Sequence, residues 1–351
     1  MKSIFERISI QQKMNLPFVV YRKPNSKTLV GLFQKDDHLY STNDFSEKAF
    51  VFAPFSGTAL LFPFDKCETK YNSIYFEKDF VFENDNEIEN IFQKEHFIQL
   101  VQKGIEVIKD GVFSKLVLSR KEQIQQEALD LFNIYEKILY KYPNAFCYWW
   151  HHPKIGTWLG ATPEKLFSIT ENKLHTMALA GTQAYKDSEN VIWKKKEQKE
   201  QKYVTDYIIE QLQKETSEIK KTEPYTSRAG NLLHLRTDID AVLAPTANLQ
   251  HIIQILHPTP AVCGLPKDLA KAFIETSEGY DRTYYTGFLG EINHNFSTNE
   301  NETHLFVNLR CMEIDAQNIN IYIGCGITKD SNPEHEWEET VNKAKTMKTI
   351  L

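Results

Sequence analysis

The sequence predicts an α+β fold built mainly from antiparallel strands, on three observations. Short runs of aromatic and β-branched residues recur along most of the chain, helical periodicities are interspersed among them, and the last two strand runs are joined by a short polar turn. That turn, Asp315 to Asn318, links HLFVNLRCMEI to NINIYIGCGI, so these two runs pair as an antiparallel hairpin.

In chain order, residues 1 to about 90 hold the runs PFVVYRK, TLVGLF, AFVFAPF and ALLFPF, punctuated by Pro, Gly, Asn and Asp. They read as a meander of strands that names no chemistry. From Lys94 to Asp110, Phe97, Leu100, Val101, Ile105 and Ile108 recur at helical spacing, and the following SKLVLSR is a strand, so a helix delivers Lys115 to a strand start. Further strands fall at FCYWWHH, TWLGAT, KLFSI, KLHTMAL and FLGEI, with helices near 130–141, 191–215, 267–277 and 334–350. No tandem repeat, low-complexity tract or linker interrupts the pattern, which predicts a single domain over 1–351.

Composition narrows the function classes. A formal net charge of −6, with no long Lys/Arg cluster outside one helix, argues against a nucleic-acid surface. No stretch reaches the roughly 18 apolar residues of a membrane span, and MKSIFERISIQQK has no apolar signal-peptide centre, so a cytoplasmic protein without a membrane role is expected. Cys67, Cys147, Cys263, Cys311 and Cys325 lie far apart without metal-ligand spacing and are expected to be reduced and structural. The sequons at Asn295 and Asn301 have no consequence without a secretory route.

The chemistry-bearing residues gather on two helices and a few loops. In VIWKKKEQKEQKYVTDYIIEQL, Glu200, Val204, Ile208 and Leu212 follow one another at i+4, so an acid lies on the apolar stripe, and Glu197 stands three residues before it. Either a divalent cation offsets the crowding of these carboxylates, or they balance the adjacent lysines on a solvated face. In SNPEHEWEETVNKAKTM, Glu336, Glu339 and Lys343 share one face behind a capping Ser331 or Asn332. Alone, this second helix reads as exposed, with a Glu339/Lys343 pair; opposite the first, it completes a four-carboxylate Mg²⁺ site. GCGIT at a strand end allows close backbone approach to an anion. Arg310 shares a strand face with Phe306, Asn308 and Met312, where it either grips a carboxylate or makes a structural ion pair. His257 precedes a proline-rich turn, a usual place for a loop hydrogen-bonder. No nucleophile elbow, P-loop or dinucleotide fingerprint occurs.

Taken in order, SKLVLSR, LGATPEKLF, LAGT, KEQKEQKYV, LHPTPAVCGLP, EGYDRTYYTGFLG, VNLRCMEI and GCGITKDSNPEHEWEETVNK resemble the chorismate-utilising enzyme family over roughly residues 95–351, leaving 1–94 as a variable β-rich part. The resemblance implies a large two-sheet antiparallel sandwich with helices packed outside, the anthranilate synthase-like fold, with the active site in a deep cleft. It implies that Glu200 and Glu339 hold Mg²⁺, supported by Glu197 and Glu336. It further implies that Arg310 and Tyr285 grip the enolpyruvyl carboxylate of chorismate, that Gly181, Thr182, Gly326 and Lys343 surround the ring carboxylate, and that His257 lines the same pocket.

Two positions choose among sister reactions by resemblance. Lys115 stands where water-using members carry a lysine base, and Ala180 stands where aminodeoxychorismate synthases carry a nucleophilic lysine. The implied reaction is a Mg²⁺-dependent isomerisation of chorismate to isochorismate. Neutral Lys115 takes a proton from water attacking C2, and Glu164 protonates the departing C4 hydroxyl, roles that need burial or neighbouring charges to shift both groups. A salicylate-forming enzyme, or a non-catalytic chorismate-binding subunit of an amidotransferase complex, are the alternatives. The family works as monomers and dimers, and its isochorismate feeds menaquinone, siderophore or salicylate pathways. Gln201 stands where many relatives have histidine, and Cys325 where they have a small residue.

Overall fold

The structure is a computed structural model that describes residues 2–76, 79–82, 90–126, 129–186, 188–230, 232–315 and 317–351. Helix α1 (Lys2–Lys13) leads into β1 (Phe18–Arg22), β2 (Thr28–Gln34), β3 (Tyr40–Thr42), β4 (Ala49–Ala53), β5 (Ala59–Pro63) and β6 (Cys67–Ser73). Then follow α2 (Ile91–Lys109), β7 (Lys115–Gln125), α3 (Leu131–Lys141), β8 (Phe146–His152), β9 (Gly156–Thr162), β10 (Lys165–Thr170), β11 (Lys173–Ala184) and α4 (Lys195–Leu212). The chain continues through β12 (Thr216–Lys221), β13 (Tyr225–Ala229), β14 (Leu232–Leu243), α5 (Leu249–Leu256), β15 (Gly264–Leu265) and α6 (Lys267–Ser277). It ends with β16 (Phe288–Ile292), β17 (Glu302–Val307), β18 (Cys311–Asp315), β19 (Asn318–Ile327) and α7 (Pro333–Lys348).

The strands form two antiparallel sheets. One has the order β15-β7-β19-β18-β9-β8-β1-β2-β6, and the other β12-β14-β11-β10-β17-β16-β4-β5-β3, with β13 also on β14. Period-2 burial explains why they stack. In β8, Phe146, Tyr148 and Trp150 point into an aromatic layer with Phe50, Phe52 and Phe306 of the other sheet, while Cys147 and Trp149 point outward beneath α1, α3 and α7. Helices α4 and α5 cover the outer face of the second sheet. The strands of residues 18–73 thus continue both sheets.

Three expectations change here. Residues 3–12 are helical, with Ile4 and Ile8 fully buried, so the N-terminal part is not strand throughout; residues 83–89 of that part lie outside the described residues. The polar runs of β12 and β13 are strands although they carry few apolar residues. HLFVNLRCMEI is two strands, not one: β17 belongs to the second sheet and β18 to the first, and they are separated at residues 308–310. Buried Asn308 fixes that break, accepting from Tyr148 Oη at 2.6 Å and donating to the Tyr284 carbonyl at 2.9 Å. Arg310 therefore shares no strand face with Phe306 and Met312; it sits in the link at φ 47°. A non-glycine residue held there stores strain of order 1–3 kcal/mol, a condition that clusters at functional sites. The predicted hairpin is present, with Asp315 opposite Asn318, and residue 316 of its turn lies outside the described residues.

Candidate active site

Two links cross between the sheets side by side. Pro163–Glu164 carries the chain from β9 to β10, and residues 308–310 carry it from β17 to β18. They are laced together by Val307 N–H to the Glu164 carbonyl (3.0 Å), Ala161 N–H to the Arg310 carbonyl (3.0 Å) and Thr162 Oγ1 to the Val307 carbonyl (2.6 Å). Beside these links the sandwich opens into a narrow cleft with about 60 Å³ of free volume. Its wall brings together Glu164, Gly181, Thr182, Glu200, Tyr285, Arg310, Gly326 and Lys343 from the expected set, and Ala180 as well.

Lys115 and Glu164 are both buried. Lys115 starts β7, is 0% exposed, and places Nζ 3.1 Å from Glu200 Oε1 without completing a hydrogen bond. Burial pushes the Glu164 carboxyl up to about 7, even though Lys115, Arg310 and Lys343 pull in the other direction. Glu200, buried on α4, behaves oppositely: burial would raise it, but Lys115 and Lys196 prevail and hold it below the usual carboxylate range. The reading of Glu200 as part of a solvated face therefore fails. Burial also lowers Arg310 from its ordinary value, yet a guanidinium stays charged in any case.

The second glutamate helix faces the same end of the cleft. Each of three carboxylates has its own lysine: Lys115 at Glu200, Lys196 at Glu336, and Lys343 at Glu339 (2.6 Å), with Lys343 also donating to the Gly324 carbonyl at 3.0 Å. The Glu339/Lys343 pair is thus present, but against the cleft rather than on an exposed face. Glu336 is 1% exposed, and burial together with Glu339 raises its carboxyl. Glu197 Oε2 and Glu336 Oε2 are buried without a hydrogen-bond partner among the described residues. No three His, Cys, Asp or Glu side chains among the described residues converge in a ligand-holding arrangement. The donor set nevertheless suits a hard divalent cation, since it consists of carboxylate oxygens, two of them lacking partners.

His257 stands behind the wall rather than on it. Its Nε2–H donates to the Thr286 carbonyl at 2.9 Å, its ring packs edge-on against Phe288, and burial lowers it to about 4. Two residues had not been singled out. His234 on β14 lies on the cleft wall, its Nδ1–H donating to the Gly181 carbonyl at 2.9 Å, which leaves Nε2 a buried acceptor without a partner. Burial, then Arg310 and Lys343, push it down to about 3, so it is neutral. The alternation His234, Arg236, Asp238 along one strand face was its available signal. Lys196 precedes Glu200 by four residues, the spacing of a helical ion pair. Gln201, in place of a histidine, bonds Thr205 and Thr237 at 2.8 Å each and touches no expected ligand. All five cysteines are buried and unbridged.

Gly326 is required by proximity. A Cβ there would lie 1.9 Å from Glu200 Oε1 and 3.2 Å from Lys115 Cε. Gly326→Ala is expected to displace the Glu200 carboxylate and lower turnover about 10²-fold, with the melting temperature little changed; thermal denaturation beside steady-state kinetics checks it.

The family profile described as chorismate binding enzyme matches residues 65–351. The chain belongs to that family. Among curated relatives of this family, the isochorismate synthase MenF of Escherichia coli is 30% identical over 272 residues, 74% of this chain and 60% of its own length. The isochorismate synthase DhbC of Bacillus subtilis is 28% identical over 277 residues, 74% of this chain and 68% of its own. Anthranilate synthase component 1 of Aquifex aeolicus is 27% identical over 267 residues, 73% of this chain and 53% of its own. The chain spans 60% or less of the length of the first three relatives it matches. Among solved structures, a putative 2,3-dihydroxybenzoate-specific isochorismate synthase from Bacillus anthracis superposes with a TM-score of 0.80 at 21% identity, covering 97% of this chain and 99% of its own. Anthranilate synthase component I from Streptococcus pneumoniae gives 0.67 at 17% identity, covering 95% and 90%. The two-sheet antiparallel sandwich is therefore the fold of the family. Among the described residues no helix is long and apolar enough to cross a membrane.

Proposed function

We propose that this chain is an isochorismate synthase, a single domain that isomerises chorismate to isochorismate. The observation that carries this reading is a buried carboxylic acid, Glu164, held up to about 7 in the same cleft whose Glu200 wall adjoins fully buried Lys115. A base for water and an acid for the departing hydroxyl are what exchange of the C4 hydroxyl for one at C2 requires. Lys115 receives the proton of water attacking C2, and Glu164 donates one to the leaving C4 oxygen, so the ring gains and loses one hydroxyl with no net redox change. Arg310 and Lys343 supply cationic partners for the two carboxylates of the substrate, with Arg310 preset by its left-handed backbone. The partly identical isochorismate synthases among the relatives support the same choice.

Glu200 and Glu339, with Glu197 and Glu336 beside them, would hold Mg²⁺, which when bound would neutralise and orient a substrate carboxylate. Incubating the protein with chorismate and Mg²⁺ is expected to give isochorismate in equilibrium with chorismate, without pyruvate, and EDTA is expected to lower the rate at least 10²-fold. Product analysis by chromatography and NMR decides the matter. Salicylate with stoichiometric pyruvate would overturn the isochorismate assignment, and chorismate binding without turnover would overturn the enzyme assignment.

A further inference from the structure

A second, larger cavity of about 920 Å³ adjoins the catalytic cleft and shares Pro163, Leu179, His234 and Arg310 with it. It is formed where the β1–β2 link, the α3–β8 link and the ends of β13 and β14 leave the two sheets apart. Its charge is one-sided. Lys23, Lys141, Lys165, Arg228, Arg236 and Arg310 line it, against the single carboxylate of Glu189.

Three of these cations have no carboxylate partner among the described residues. Lys141 Nζ donates to Thr349 Oγ1 (2.7 Å) and stands 4.1 Å from the Phe82 ring centroid, and Lys165 Nζ donates to Ser168 Oγ (3.3 Å). Arg228 Nε donates to the Gly230 carbonyl (2.9 Å), while its guanidinium carbon stands 3.6 Å from the Tyr185 ring centroid. Arg236, by contrast, is neutralised by Asp238 at 2.6 Å, and Lys23 at the rim by Glu291 at 2.5 Å. Burial, then Lys137, lowers Lys141 to about 8, and burial, then Arg236, lowers Lys165 against the opposing pull of Asp238 and Asp240, so both ammonium groups stand where an added anion would relieve them.

We propose that this cavity is an anion-capture vestibule that binds a small dicarboxylate through Lys141, Lys165 and Arg228 and passes it to Arg310, whose side chain borders both cavities. The proposal deepens the reading of the catalytic cleft and rests on it for the identity of the dicarboxylate. A protein with a net charge of −6 repels a dianion at long range, so a locally positive entrance is the means by which such a substrate is concentrated at the site. Arg310 is the handover point because it is the one of these cations that also lines the catalytic cleft. None of the three vestibule cations lies on the wall of that cleft, so the chemical step should not feel them.

The test is the variant Lys141→Gln/Lys165→Gln/Arg228→Gln, compared with Lys13→Gln/Lys103→Gln/Lys220→Gln, which changes the net charge equally outside the vestibule. With chorismate and Mg²⁺ at low ionic strength, the vestibule variant is expected to lose about 10-fold in kcat/KM with kcat within twofold of wild type, and to lose most of the salt dependence of kcat/KM. The control variant should match wild type. Unchanged kcat/KM and salt dependence in a folded vestibule variant, or an equal loss in the control, would overturn the proposal. If the triple variant fails to fold, Lys141→Gln and Arg228→Gln singly carry the same comparison. A wild-type protein that consumes no chorismate would sink the isochorismate synthase reading instead; the vestibule is then read from equilibrium chorismate binding, where the same variants should weaken affinity about 10-fold and unchanged affinity would overturn it.

Discussion

Glu164→Gln is expected to reduce chorismate turnover by about 10²–10⁴-fold while leaving chorismate affinity within a few-fold of wild type. The amide keeps the volume and a hydrogen-bond donor but has no acidic proton to give the departing hydroxyl. Near-wild-type turnover in a folded variant would remove Glu164 from the mechanism. The pH dependence has a definite sign. Because the carboxyl titrates at about 7 and acts protonated, kcat/KM should fall about tenfold per unit as pH rises beyond about 7, and this limb should vanish from the residual activity of Glu164→Gln. Stability follows the same titration. The folded pKa lies above the ordinary carboxyl value, so the native state binds more protons than the unfolded one between about pH 4.5 and 7, and stability declines as pH rises through that window. Glu164→Gln abolishes the penalty and should therefore be more stable than wild type at pH 8, by at most about 3 kcal/mol, and indistinguishable below about pH 4.5. Denaturant titrations at the two pH values measure the difference.

The elements that sequence alone revealed are those whose burial is uniform. β1, β4 and β8 are buried along nearly their whole length and read as unbroken aromatic and β-branched runs. α2 and α6 show their apolar stripe directly. What could not be read is where the chain changes sheet. Between Phe306 and Met312 the residues Val307, Asn308, Leu309, Arg310 and Cys311 contain no glycine or proline, so nothing local announces the break. It is imposed by tertiary hydrogen bonds to Asn308 from Tyr148 and to the Tyr284 carbonyl, residues 160 and 24 positions away. The site followed the same division. Glu200 was visible as an acid on an apolar stripe and is indeed buried, whereas Lys196 and His234 became conspicuous only when folding placed one beside Glu336 and the other beside Gly181. His257 shows the reverse, a residue placed in the pocket by motif position whose ring is turned to the Thr286 carbonyl. The N-terminal helix was legible in principle, since Ile4, Ile8 and Gln11 fall on one face and all three are buried.

Lys115→Arg and Lys115→Met together separate the two roles the lysine could have, and both are expected to lose at least about 10³-fold in turnover. Lys115 lies 3.1 Å from Glu200 Oε1 with its side chain fully buried, so a purely electrostatic role, holding the Glu200 carboxylate ionised, is a real competitor to that of a base. Arginine keeps the positive charge beside Glu200 but cannot release its proton in a protein, and methionine removes the charge while keeping the volume. If Lys115 only balances Glu200, Lys115→Arg should retain activity and Mg²⁺ dependence, and Lys115→Met alone should fail. If it removes the proton from water, both fail alike, although Lys115→Arg still pairs with Glu200. The two variants should differ elsewhere. Losing the charge leaves Glu200 with Lys196 and the more distant Lys343 against its burial, so its carboxyl rises in Lys115→Met, which should be the less stable protein by about 3–5 kcal/mol. Equal inactivity with unequal stability is thus the pattern a base in contact with a metal-site carboxylate must leave, whereas activity that is kept in Lys115→Arg and lost together with stability in Lys115→Met is the pattern of a counter-ion.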